Sequence, residues 1–163
     1  MARNVHSKRS LSARTILLAE DNPDIAMALS WLLRARGHVV EVAYDGRAAL
    51  AIAKRFKPQF ALLDLDLPAM DGYELAKELR ARLGRSAPTL VAVTGFGQRT
   101  DRKRVRYAGF HAHLVKPIDL DELLSILADG RVLANGAGRA GRGPPRPGRR
   151  GPARSPPSPG TRR

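Results

Sequence analysis

The sequence predicts an α/β fold, with five parallel strands and five helices in strict (βα)5 order making a three-layer sandwich. Three observations carry this. Apolar runs of four to six residues recur at 15–19, 60–63, 89–93 and 112–115, the near-continuous pattern of strands buried on both faces. Stretches with helical spacing fill the gaps between them. The length, 163 residues, gives room for one domain of ordinary size.

Each element follows in order. The first strand, 15–19, runs into Glu20-Asp21. Asn22-Pro23-Asp24 supplies a cap and a proline suited to a first helical turn. Ile25, Leu29, Leu32 and Leu33 then recur at helical spacing until Gly37. Residues 39–42 read as a second, less buried strand. Asp45-Gly46 opens the second helix, with Ala49, Leu50, Ala53 and Phe56 on its inner face, closing before Pro58. The third strand delivers Asp64, and a loop over 67–72 leads to a helix from about Tyr73 to Leu83, stopped by Gly84. The fourth delivers Thr94, followed by Gly95-Phe96-Gly97 and a strongly basic helix around 99–108. The fifth delivers Lys116-Pro117. Asp119 and Glu122 stand at capping-box spacing before a last helix carrying Leu123, Leu124, Ile126 and Leu127. Right-handed crossovers make the sheet parallel and cover both faces. The strand order 2-1-3-4-5 is adopted from flavodoxin-like folds. It sets the strands ending in Glu20-Asp21, Asp64 and Thr94 side by side.

The formal charge of +14 is unevenly spread. Residues 1–14 carry Arg3, Lys8, Arg9 and Arg14 with no acid, and 130–163 carry nine arginines with no acid. The stretch between is nearly neutral. Residues 131–163 hold 23 Arg, Pro or Gly among 33 positions and cannot bury enough surface to offset the entropy of ordering. The expected division is therefore a disordered basic arm at 1–13, a folded domain at 14–129 and a disordered Arg/Pro/Gly-rich tail at 130–163. The tail's arginines suit non-specific contact with nucleic acid. No aromatic is interleaved to stack on bases, so a solvated extension is the preferred reading. No cysteine is present, which excludes a disulfide framework or thiolate metal site. No apolar stretch approaches membrane-spanning length. A cytoplasmic protein without membrane contact is expected.

The carboxyl ends of strands in an open parallel sheet line the ligand crevice. Three carboxylates (Glu20, Asp21, Asp64), the Thr94 hydroxyl and the Lys116 ammonium are therefore expected at one edge. So dense a cluster of acids repels itself unless a cation intervenes, and oxygen ligands with spare water positions suit Mg²⁺. An aspartate beside Mg²⁺ can be a nucleophile toward phosphorus. The transferred group spreads charge over its equatorial oxygens, which Lys116 and Thr94 would stabilise.

These residues resemble the receiver domain of two-component response regulators over roughly 14–129. Glu20-Asp21 look like the family's acidic pair, Asp64 its phosphoacceptor, Thr94 its hydroxyl and Lys116-Pro117 its lysine-proline. The stretch 109–117 is also similar to carboxy-terminal receivers of hybrid histidine kinases. The resemblance implies that Asp21 and Asp64 ligate Mg²⁺ directly, Asp66 through its backbone carbonyl and Glu20 through water. It implies donation from a histidine kinase or histidine phosphotransfer protein, self-phosphorylation and hydrolysis without enzyme turnover in the ordinary sense, and a downstream protein partner. It also implies that modification of Asp64 draws Thr94 inward and repacks the surface of helix four, strand five and helix five, where a homodimer could form. One departure stands out. His113 occupies the switch position where the family commonly has Tyr or Phe, and the simpler reading is that it only fills a half-buried strand position.

Other readings compete. Asp64-Leu65-Asp66 mimics the DxD motif of haloacid-dehalogenase-like phosphatases, but Pro68 stands where those enzymes usually have Thr or Val, and two strands precede the motif. A nucleic-acid-binding regulator acting through the arginine-rich ends lacks any DNA-binding module after Asp129. Arg99, Arg102, Lys103, Arg104 and Arg106 would ordinarily be a solvated face. The i, i+4 pair Arg102 and Arg106 nevertheless suggests an acidic docking partner at the output surface. Asp71-Gly72 reads as the turn and cap of helix three, Trp31 as packing, and Phe96 as either a cover for the site or a loop anchor.

Overall fold

A computed structural model of the chain describes residues 12–95 and 102–129. The elements are β1 (Thr15–Ala19), α1 (Pro23–Ala35), β2 (Val39–Ala43), α2 (Gly46–Phe56), β3 (Phe60–Asp64), α3 (Gly72–Leu83), β4 (Thr89–Thr94), α4 (Arg102–Ala108), β5 (Ala112–Val115) and α5 (Leu120–Asp129), with one 3-10 turn at Gly84–Ser86. The sheet is parallel in the order β2-β1-β3-β4-β5, the flavodoxin-like arrangement expected. The expectations for the N-terminal arm before residue 12, for the tail from residue 130, and for Phe96 and Arg99 lie outside the described residues. Among the described residues no helix is long and apolar enough to cross a membrane.

Side-chain alternation along the strands divides the core in two. Leu17, Ala61, Leu63, Leu90 and Ala92 face α2, α3 and α4, packing with Ala49, Ala53, Leu75, Leu79 and Val105. Ile16, Leu18, Leu62, Val91, Val93 and Leu114 face α1 and α5, packing with Ala26, Leu33, Leu123, Ile126 and Leu127. Helix starts are fixed by side-chain caps that satisfy otherwise orphaned amides. Asn22 accepts from the amides of Asp24 and Ile25, Asp45 from Ala48, Asp71 from Glu74, and Asp119 from Asp121 and Glu122.

Helix α1 departs from expectation in phase. Its fully buried positions are Ala26, Ser30 and Leu33, whereas Ile25 and Leu32 lie toward solvent and Trp31 is 68% exposed. Small residues at 26 and 30 let the helix approach the sheet closely, and the Ser30 hydroxyl is satisfied by donating to the Met27 carbonyl at 2.9 Å. Trp31 therefore does not pack into the core. It belongs to an outward apolar face with Met27 and Leu32.

At the edge where the strands begin, Arg14 joins the two ends of the domain. Its guanidinium donates to the carbonyls of Leu127 (3.1 Å) and Ala128 (3.3 Å) at the end of α5 and lies 5.8 Å from the Phe60 ring centre. Its backbone amide donates to His38 Nδ1 at 3.2 Å. That bond places the neutral imidazole's proton on Nε2, which is buried and has no hydrogen-bond partner among the described residues. Burial, then the charges of Arg14 and Arg36, push the His38 pKa below its ordinary value. Burial and the charge of Arg80 do the same at His111. The unfolded chain thus binds more protons at these histidines than the folded domain. Their contribution to stability is complete above the unfolded histidine pKa of about 6.5 and is lost as pH falls below it. Thermal melts should show the midpoint falling between about pH 7 and pH 5. His38→Asn, which keeps an acceptor but cannot titrate, should flatten that slope; a slope identical to wild type would exclude His38 as its source.

Candidate functional site

The parallel register brings the ends of β1, β3, β4 and β5 to one edge, with Asp64 paired to Val93 and Thr94 to Val115. Glu20 and Asp21 continue from β1, and the Glu20 amide donates to the Ala43 carbonyl at 3.0 Å. Lys116 continues from β5, its amide donating to the Thr94 carbonyl at 2.8 Å. The loop after Asp64 returns tightly. The Gly72 amide donates to the Leu65 carbonyl at 3.1 Å, and a β-carbon at Gly72 would collide with the Asp64 carbonyl oxygen. Only glycine lets α3 start against the strand end that carries Asp64. Asp71 caps that helix as expected.

The Lys116 ammonium bridges two buried carboxylates, Glu20 at 2.6 Å and Asp64. Each carboxylate has a further donor. Glu20 Oε1 accepts from the Asn22 amide at 3.2 Å, and Asp64 Oδ1 accepts from the exposed Asp66's amide at 2.9 Å. Burial alone would lower the lysine's pKa, but its hydrogen bonds and charge pairing with Asp64 and Glu20 outweigh this, so the net direction is up. Glu20 moves up as well: its burial outweighs the Lys116 hydrogen bond and charge, and Asp64 adds like-charge repulsion. Two carboxylates thus share one ammonium, and the cluster retains unbalanced negative charge.

Glu20, Asp21 and Asp64 each offer an oxygen within 4.8 Å of the others, with Asp21 exposed and the other two buried. An all-oxygen carboxylate set open to water on one side fits a hard divalent cation such as Mg²⁺.

The Thr94 hydroxyl is buried, and its Oγ1 lies 2.8 Å from His113 Nε2. His113 is half-buried as expected and is hydrogen-bonded to a candidate site residue. Sequence reading carried no signal for this bond, because register across β4 and β5 creates it. It also carried no signal for the contacts of Arg104, which is exposed as expected but stacks 4.0 Å from the Tyr73 ring centre and approaches Asp71 at 3.9 Å. Tyr73 in turn meets Phe110 edge-on at 6.2 Å. Arg106 is exposed as expected, the side chain of Arg102 lies outside the described residues, and Tyr107 and Val115 add exposed apolar surface nearby.

Comparison with known proteins places this geometry. The family model described as response regulator receiver domain matches residues 16–128. The transcriptional regulatory protein PdtaR of Mycobacterium tuberculosis is 38% identical over 112 residues, covering 68% of this chain and 53% of PdtaR; the chain spans about half the length of that relative. Protein PilH of Pseudomonas aeruginosa is 30% identical over 112 residues, covering 69% of this chain and 93% of PilH. Among solved structures, the receiver domain of sensor histidine kinase PA1611 from Pseudomonas aeruginosa, crystallised with magnesium coordinated in its active-site cleft, is 36% identical. It superposes with a TM-score of 0.63, covering 71% of this chain and 95% of that one. Chemotaxis response regulator CheY4 of Vibrio cholerae gives 0.65 at 28% identity, covering 71% of this chain and 97% of that one.

Proposed function

Because the chain belongs to the response regulator receiver family, whose members are signalling domains rather than conventional enzymes, we propose that Asp64 accepts a phosphoryl group from a phosphohistidine and that the modified domain switches the binding of a protein partner. The observation that carries this is the Lys116 ammonium held on both Glu20 and Asp64. An Asp64 oxygen forms the new O–P bond while the N–P bond of the donor breaks and its electron pair returns to the imidazole. Lys116 is placed to follow the charge from the carboxylate to a phosphoryl oxygen, and the Thr94 hydroxyl to donate to another. Asp21 and Asp64, the Asp66 carbonyl and, through water, Glu20 are the proposed holders of Mg²⁺. When bound, the metal supplies positive charge against the equatorial oxygens.

A histidine kinase or histidine phosphotransfer protein is the proposed donor. The apolar outer face of α1 begins two residues beyond Asp21 and exposes Met27, Trp31 and Leu32, which suits a docking donor protein. Arg106, Tyr107 and Val115 mark the proposed output surface, with an acidic partner or a second copy as its occupant. The phosphatase reading of Asp64 and Asp66 is disfavoured by the family match over residues 16–128. Nucleic-acid contact through the arginine-rich ends rests on residues outside the described set.

Incubation with phosphoramidate and Mg²⁺ should add one phosphoryl group, removable by hydroxylamine, and chelation with EDTA should abolish uptake. Intact-mass spectrometry showing no adduct from any donor would sink the proposal. Trp31→Ala should slow transfer from a phosphorylated protein donor by about tenfold while leaving uptake from phosphoramidate unchanged; equal effects on both would remove α1 as the docking face.

A further inference from the structure

We propose that His113 is a positioning residue for Thr94: its Nε2–H donates to Thr94 Oγ1 and so leaves the hydroxyl proton for the phosphoryl group on Asp64. The inference rests on the receiver reading above and concerns a direct bond between these two side chains. Thr94 is 1% exposed, so bulk water does not orient its hydroxyl. The 2.8 Å contact to His113 Nε2 does. In the β4–β5 register, Ala92 pairs with His113 and Thr94 with Val115. Successive side chains on a strand alternate faces, so His113 and Thr94 share the α2–α3–α4 side of the sheet, with Thr94 nearer the reactive edge.

A hydroxyl has one proton and two lone pairs. If the imidazole accepted, the only proton of Thr94 would point at His113, and lone pairs alone would face an anionic phosphoryl oxygen. If the imidazole donates, one lone pair of Thr94 is used and the proton remains for the phosphoryl group. The second arrangement forms a continuous donor chain from His113 through Thr94 to the developing negative charge, where preorganised donors act most strongly. It requires the Nε2–H form of the neutral ring. A phenylalanine fills the same space and does neither.

The test compares phosphoryl uptake from phosphoramidate with Mg²⁺ in full-length wild type, His113→Phe, His113→Gln, Thr94→Ala and the double variant Thr94→Ala/His113→Phe. His113→Phe should slow uptake about fivefold, the worth of one hydrogen bond expressed as a rate. His113→Gln, whose amide nitrogen reaches a similar point, should stay within about twofold of wild type. In the Thr94→Ala background, His113→Phe should have no further effect, because the group it positions is gone. A wild-type rate in His113→Phe, a Gln variant as slow as Phe, or an undiminished effect without Thr94 would each overturn the proposal. Nitrogen NMR of the assigned His113 imidazole in the wild type should show a single ring proton, on Nε2. A proton on Nδ1 would overturn it even if a variant fails to fold. Wild type that accepts no phosphoryl group while showing the Nε2–H form would defeat the receiver reading and leave the bond direction established.

Discussion

Asp64→Asn is expected to take up no phosphoryl group from phosphoramidate with Mg²⁺, whatever the incubation time, with intact-mass spectrometry as the readout. The amide oxygen is a poor nucleophile and could not form a stable acyl phosphate. The same variant should be no less stable than wild type, and more stable by about 1 kcal/mol in EDTA. Two carboxylates share one ammonium, and removing one charge leaves Glu20 and Lys116 as a matched pair. Reactivity and stability should move in opposite directions here, as they do where a site holds charge that the fold alone would not select. Residual labelling at another carboxylate would show that a different residue accepts the group. A loss of stability of similar size would show that the cluster is better compensated than its geometry indicates.

Lys116→Met is expected to be the most destabilising single change at the site. It leaves Glu20 and Asp64, at 3% and 5% exposure, without their shared cation. Removing one partner from a buried ion pair costs about 3–5 kcal/mol, and the partial exposure of Lys116 puts this case at about 3 kcal/mol. Chemical denaturation in EDTA measures it. Mg²⁺ should then raise the melting temperature of the variant more than that of wild type, because carboxylates freed of the ammonium bind the ion more tightly and binding to the native state stabilises it. Equal Mg²⁺ responses in the two proteins would mean that the lysine and the metal do not draw on the same carboxylates. Uptake of phosphoryl groups should be slower in the variant even with Mg²⁺ saturating, through loss of the charge that follows the transferred group.

The fold was legible because its strands are buried on both sides. Runs such as 60–63 and 89–93 must be apolar throughout, and Asn22, Asp45, Asp71 and Asp119 mark helix starts by chemistry that acts within a few residues. The site was legible for a related reason: topology places strand ends, and strand ends could be counted. In helix α1 the spacing of Ile25, Leu29, Leu32 and Leu33 marks a helix, but large apolar side chains do not mark the face that turns to the sheet. Close packing on a sheet selected Ala26 and Ser30 there, leaving Trp31, Met27 and Leu32 outward. Contacts that depend on register or on a neighbouring helix left no trace in sequence. Thr94 with His113, Arg104 over Tyr73, and Lys116 spanning both acids are of this kind. For the last, strand order predicts that the groups meet at one edge but not that one ammonium spans both acids.

The clasp between Arg14 and the end of α5 bears on how this protein can be handled. The Arg14 guanidinium reaches the Ala128 carbonyl at the pole opposite Asp64, so anything appended at either end of the domain starts far from the reactive cleft. The same adjacency invites circular permutation: a few glycines could join the old ends, and new ones could be opened in a surface turn such as the one after α3. The five strand tips would keep their places while the order in which they are synthesised changed.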